Sequence, residues 1–147
     1  MKTTRFNSLL LTCLAIIFSF ILMTSVSSCA TKANFATSSV VPAARGSVKI
    51  KKDNNNNYTV KVEVSNLAEV ERLTPAKKTY VVWMVSEQDE TKNLGQLKSS
   101  SGVFSKKLNA SFEGVSSLKP SKIFITAEDD ANTSYPDSQV VLSTNRF

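Results

Sequence analysis

The chain has 147 residues, two cysteines, four glycines, no histidine and a formal net charge of +6. Lack of histidine removes the usual general base, Ser-His triads and most zinc or copper sites, a copper-zinc dismutase-like sandwich among them. The four glycines are scattered, so no phosphate-cradling loop is present.

The first segment reads as a targeting signal. Lys2 and Arg5 supply a positive start, and residues 9–23 are apolar, broken only by Thr12, Cys13 and Ser19. That run is short for a bilayer span and suits the hydrophobic region of a signal peptide. Small polar residues follow, and Val26-Ser27-Ser28-Cys29 resembles the bacterial lipobox. The resemblance implies a signal peptide over residues 1–28 and diacylation of Cys29. The membrane partner would be reached through that lipid, in the cell envelope. Plain secretion and an uncleaved helical anchor are the other readings of the same segment. Ala30 carries no inner-membrane retention signal of the enterobacterial Asp kind, which favours an outer-membrane address.

Cys13 would leave with the signal, so Cys29 remains alone and no intramolecular disulfide can form. The rest is long enough for one domain with an apolar core. All 12 acidic residues and 16 of the 18 basic ones follow Cys29, so the positive excess falls to four. Lys49, Lys51, Lys52 and Lys61 look like outward positions of strands, and Lys106 and Lys107 flank a hydrophobic run. The bland reading is a face kept soluble by lysine. The sharper one is a surface for anionic lipid or polysaccharide. Export disfavours nucleic acid as a partner.

Residues 29–45 are small and polar and read as the lipidated cysteine and a flexible tether. Extended at about 3.3 Å per residue, they would hold a domain a few nanometres from the membrane. Val40 and Val41 offer an edge strand. The domain proper is expected over residues 46–147. Residues 46–52 predict a strand with Val48 and Ile50 inward, and Asp53 with four asparagines a turn. Residues 58–65 predict its hairpin partner, with Tyr58, Val60, Val62 and Val64 on one face. Residues 66–78 form a crossover. Leu67, Val70 and Leu73 would cap the core or make one helical turn that Pro75 ends.

Thr79 to Ser86 holds the single tryptophan inside six consecutive apolar residues, the pattern of a central strand buried on both faces. Residues 93–98 predict a short strand, with Gly95 marking a bulge or close packing. Residues 99–102 read as a turn. Residues 103–112, with Phe104, Leu108, Ala110 and Phe112, predict another strand, and residues 114–119 a connection. Residues 122–127 and 139–144 predict two more strands, separated by a polar loop ending at Tyr135-Pro136. About seven short strands with no long helix predict a single all-β domain, an antiparallel immunoglobulin-like β-sandwich. Trp83 is expected in the core between its sheets.

The second half also resembles a known family. Its order is Tyr80 to Trp83, a polar turn, Leu94-Gly95, a Ser-Gly turn, and a Phe-containing strand. Ile125 to Asp129, Pro136 and Val140 to Leu142 complete it. This is similar to the extracytoplasmic C-terminal domain of the anti-sigma-K factor family. The family's Gly-Gly turn is replaced here by Asp129-Asp130-Ala131-Asn132, and its cytoplasmic sigma-binding domain has no counterpart. The resemblance therefore implies a fold and an envelope location, not sigma-factor binding.

Candidate chemistry is confined to carboxylates and one aromatic. Glu128, Asp129, Asp130, Asn132 and Asp137 could offer oxygens to calcium, or form a solvated loop. Glu69 and Glu71 could pair with Glu87, Asp89 or Glu90 for glycoside hydrolysis only at a defined carboxyl separation. Tyr135 is the loop aromatic that could face a glycan. The reading favoured is a non-enzymatic envelope lipoprotein with no cofactor. Its sandwich would meet an envelope protein, in a signalling system among other settings. The alternative is a binder of small ligands, ions or glycans.

Overall fold

A computed structural model describes residues 30–101 and 108–147. Among them nine strands form two antiparallel sheets, with no α-helix. In chain order they are β1 (Ala30–Asn34), β2 (Arg45–Lys52), β3 (Tyr58–Leu67), β4 (Thr79–Ser86) and β5 (Thr91–Gln96). β6 (Lys98–Ser101), β7 (Leu108–Ser116), β8 (Pro120–Glu128) and β9 (Val140–Ser143) follow. The larger sheet runs β1-β2-β3-β7-β6 and the smaller β5-β4-β8-β9. Without β1, that is the A-B-E-D and C-F-G order of an immunoglobulin-like sandwich, with one extra strand beside C. The all-β sandwich expected from the sequence is present, with nine strands instead of seven.

Alternation builds the larger sheet. In β3, Val60, Val62 and Val64 are buried while Lys61 and Glu63 are exposed. Opposite them in β2, Ile50 and Val48 face Val60 and Val62. The hairpin turns as its composition predicts. The Asp53 Oδ1 accepts from the amides of Asn55 and Asn57, each at 2.8 Å, and Asn56 takes φ 63°. Full burial of each such valine contributes about 1.5–3 kcal/mol. Tyr80, Val82 and Met84 of β4 and Ile123 and Ile125 of β8 close the core from the smaller sheet.

The crossover is capped as expected. Leu67, Val70 and Leu73 are buried, around a 3-10 turn at Val70–Arg72. The Tyr80 hydroxyl donates to the Ala68 carbonyl at 3.1 Å, and burial, with a smaller push from Glu71, raises its pKa to about 12. Gly95 does mark a bulge. Val82 faces Gly95 but Trp83 faces Asn93, and Gly95 has φ 132° with the Phe112 ring 3.2 Å from where a Cβ would stand.

Three expectations are corrected. The tether is part of the domain from Ala30 onward. β1 pairs with β2 along five residues, Phe35 bridges Thr144, and Val41 and Ala44 are buried. Small residues hid a strand there, and Val40 and Val41 lie in the connecting loop. The turn read at residues 99–102 is instead mostly β6, paired with β7. Lastly, Trp83 is fully buried but not between the sheets. The period of two sends Tyr80, Val82 and Met84 into the main core, so Val81 and Trp83 face the opposite way. Residues 1–29 and 102–107, with the signal segment, Cys29, Phe104, Lys106 and Lys107, lie outside the described residues.

Candidate functional site

The two outer faces of the sandwich carry its distinctive chemistry. On the larger sheet, strand register places Lys32 opposite Lys49, Lys49 opposite Lys61, and Lys61 opposite Glu113. Lys51 lies one step along β2, opposite Ala30 and Thr59. Arg45 and Lys98 complete the basic residues of this face. Its acids are Glu63 and Glu113, so six positive charges meet two negative ones. Residues 30–147 carry 16 basic and 12 acidic residues. Lys106 and Lys107 lie outside the described residues, so the described ones carry 14 basic and 12 acidic residues: this face holds an excess of four positive charges and the rest an excess of two negative ones.

Like charges directly opposite across strands are destabilising. Only Lys61 has an ion-pair acid in the row, Glu113 at 3.0 Å with both side chains more than half exposed. Such a surface pair contributes at most about 1 kcal/mol. Shallow grooves of about 560 and 550 Å³ cross the face. Asn34, Ser47 and Ser65 line the first, and Gln96, Lys98 and Glu113 line the second. Val115 stands in the row of Ala30, Lys51 and Thr59 and is 64% exposed.

The outer face of the smaller sheet is closed. Val81, Trp83 and Phe124 form a second apolar cluster, with Val85 and Ala131 packed against it. The Trp83 and Phe124 rings stack with centroids 6.2 Å apart. Ala131 belongs to the loop at residues 129–139, which folds over this face. Polar contacts hold it there. The Asn93 side-chain amide donates to the carbonyls of Ala131 and Thr133 at 2.9 and 2.8 Å. The Trp83 indole donates to the Thr126 hydroxyl at 2.8 Å, and that hydroxyl donates to Glu128. Glu128, buried, also accepts the Asp137 amide at 2.8 Å. Lys77 reaches Asp129 at 2.8 Å and Asp137 at 2.7 Å. Hydrogen bonds from Lys77, then Ser138, lower the Asp137 pKa to about 2, and the two carboxylates raise that of Lys77.

The candidate calcium oxygens are thus spent inside the protein. Glu128, Asp129 and Asp137 come together around Lys77 and the loop backbone, and Asp130 caps the Asn132 amide at 2.9 Å. No three acidic, thiol or imidazole groups converge on a metal-sized site among the described residues. The proposed hydrolytic pair also comes apart. Glu69 and Glu71 precede β4 and Glu87, Asp89 and Glu90 follow it. An eight-residue strand separates the two groups by roughly 23 Å, far beyond a working carboxyl pair. Glu69 pairs instead with Arg72, Glu87 with Lys119, Asp89 with Arg146 and Glu90 with Lys92.

Tyr135 lies at the tip of the covering loop and is 82% exposed. Beside it, a polar groove of about 730 Å³ runs between the β5 edge and the loop, lined by Asn93, Gln96, Asn132, Thr133 and Ser134. Sequence reasoning found Lys49, Lys51 and Lys61 as outward residues but missed Lys32 and the alignment of all three strands. Register decides that alignment, and β1 gave no apolar alternation to read. No protein-family model, curated protein or solved structure matches this chain.

Proposed function

We propose that this protein is a non-enzymatic envelope lipoprotein, anchored through Cys29, whose sandwich is an interaction module for an envelope protein. The observation that carries the reading is that Ala30, the residue directly after the expected lipidation site, is already in β1 and paired with β2. A domain without an intervening tether stands at the membrane surface, where its outer faces do the work. Its grooves are shallow and its buried carboxylates hold structure, which supports a role in contact and not in catalysis. The resemblance to the extracytoplasmic domain of anti-sigma-K factors supports the same location. The covered face, with Tyr135 at its loop tip, is the surface offered to a protein partner.

In-cell cross-linking of the tagged protein, with mass spectrometry of what co-purifies, tests the reading against a Cys29→Ala control. One enriched envelope protein, lost in the control, is the expected result. Correct membrane attachment with no enriched partner would overturn the interaction role. A second reading rests on the exposed Tyr135 beside its amide- and hydroxyl-lined groove, a surface suited to a glycan. If it holds, Tyr135→Ala abolishes retention on immobilised envelope glycans without changing the melting temperature. Unchanged retention removes that reading.

A further inference from the structure

We infer that the basic face of the larger sheet lies against an anionic phospholipid surface, turning the loop at residues 129–139 away from the bilayer. The inference deepens the anchored reading and rests on it for the position of Cys29. Charge is its first support. Among the described residues this face carries six basic and two acidic side chains while the rest is net negative, and Lys32, Lys49 and Lys61 form a row spanning roughly 10 Å across three strands. The row costs the isolated fold stability, since its middle member has a lysine on either side. An anionic surface removes that cost. Each basic residue held near such a surface strengthens binding roughly fivefold.

Position is the second support. Ala30 is in the outward row with Lys51, Thr59 and Val115, so a lipid on the preceding residue leaves the sheet at the rim of the basic face. Consecutive Cα atoms are about 3.8 Å apart, which brings the bilayer to that rim. The exposed apolar residue in the row, Val115, adds a side chain suited to the headgroup boundary. The acids on the face, Glu63 and Glu113, are outnumbered, and Glu113 is already paired with Lys61. The opposite outer face lies beyond both sheets, so docking points Tyr135 outward, where a protein partner can reach it.

The test uses the full-length chain recovered from membranes and reconstituted in vesicles of phosphatidylcholine, with or without phosphatidylglycerol. Lysines are acylated by a membrane-impermeant reagent and read by mass spectrometry. The expected result is that Lys32, Lys49, Lys51 and Lys61 react several-fold more slowly on the anionic vesicles, and that high salt abolishes the difference. Lys78, Lys92 and Lys122 should react equally on both. The double variant Lys49→Glu, Lys61→Glu should lose protection at Lys32 and Lys51 while staying in the membrane fraction. Equal acylation on both vesicle types overturns the inference. So does protection that appears only when an anionic polysaccharide is added to neutral vesicles. The mass of the Cys29 peptide reads anchorage separately. An unmodified Cys29 with salt-sensitive lysine protection sinks the anchored reading and keeps the docking face. A lipidated Cys29 without protection does the reverse.

Discussion

On the outer face of the five-stranded sheet, every second side chain of β2 and β3 meets solvent, and lysines stand opposite lysines. On the outer face of the four-stranded sheet, the same alternation presents Val81, Trp83 and Phe124, and a loop from the β8–β9 connection buries them. One face leaves a repulsive charge row uncovered; the other spends three carboxylates and an asparagine to fasten its cover. The difference teaches which part of the molecule is internally complete. The covered face has its partners within the chain, whereas the basic face lacks enough acid of its own. Changes beneath the loop and in its fastenings should therefore act on stability, whereas changes on the second face, like those at the exposed Tyr135, should act on association.

The largest effect is expected at Trp83. Trp83→Ala removes a fully buried ring that stacks on Phe124 and should cost about 3–5 kcal/mol, read as a drop in the denaturation midpoint. Loss should also raise protease cleavage within the loop at residues 129–139. A midpoint within error of the wild type would mean that the covered face is not a core. Next comes Glu128, whose carboxylate joins Thr126 to the Asp137 amide. Glu128→Ala should cost about 1–3 kcal/mol by stranding buried donors. Glu128→Gln keeps an acceptor oxygen and should cost clearly less. Amide exchange at Asp137 separates the two variants, fast in the first and slow in the second. Equal exchange rates would break the assigned role.

The contrast between the faces also shows where the sequence was readable. Period-two patterns mark β2, β3 and β8 and, with them, the sandwich class, because burial of one face writes itself into alternation. The continuous apolar run within residues 79–86 marks a strand buried on both sides but does not say which side is the main core. Trp83 was assigned to the wrong one, since six consecutive apolar residues carry no phase. β1 escaped because Ala, Thr and Asn pack at an edge without a hydrophobic signature. The loop acids were read as calcium oxygens or a solvated loop because their partner, Lys77, is 52 residues from Asp129. Of the candidate surface, single outward lysines were legible and their row was not, for rows depend on register between strands.

A smaller, pH-dependent effect belongs to the fastening of the loop. Lys77 lowers the Asp137 pKa from 3.8 to about 2, so the folded state holds this proton less tightly than the unfolded chain. Its contribution to stability is complete above the ordinary value and is lost as pH falls from 3.8 toward about 2. Lys77 is raised above 10.5, so its own contribution is complete below that value and is lost as pH climbs through the raised one. Lys77→Met should flatten the acid limb of a midpoint-against-pH curve. A variant curve parallel to the wild type over that limb would show that the pair does not hold the loop.

The smallest change in stability is expected on the basic face, and its sign is the sharpest discriminator between the two faces. Lys49→Glu puts an acid between Lys32 and Lys61 and turns two repulsive cross-strand contacts into attractive ones. Exposed pairs of this kind are worth about 0.2–1 kcal/mol, so the variant should be slightly more stable than the wild type at low salt. Added salt should narrow the gap, because screening acts over about 10 Å at 0.1 M and the row spans a similar distance. The same substitution should weaken association with anionic vesicles. Stability and docking then move in opposite directions at one residue, a result that a merely solubilising lysine would not give. If Lys49→Glu destabilises the fold, or leaves vesicle association intact, the basic face is as internally complete as the covered one and the contrast between them fails.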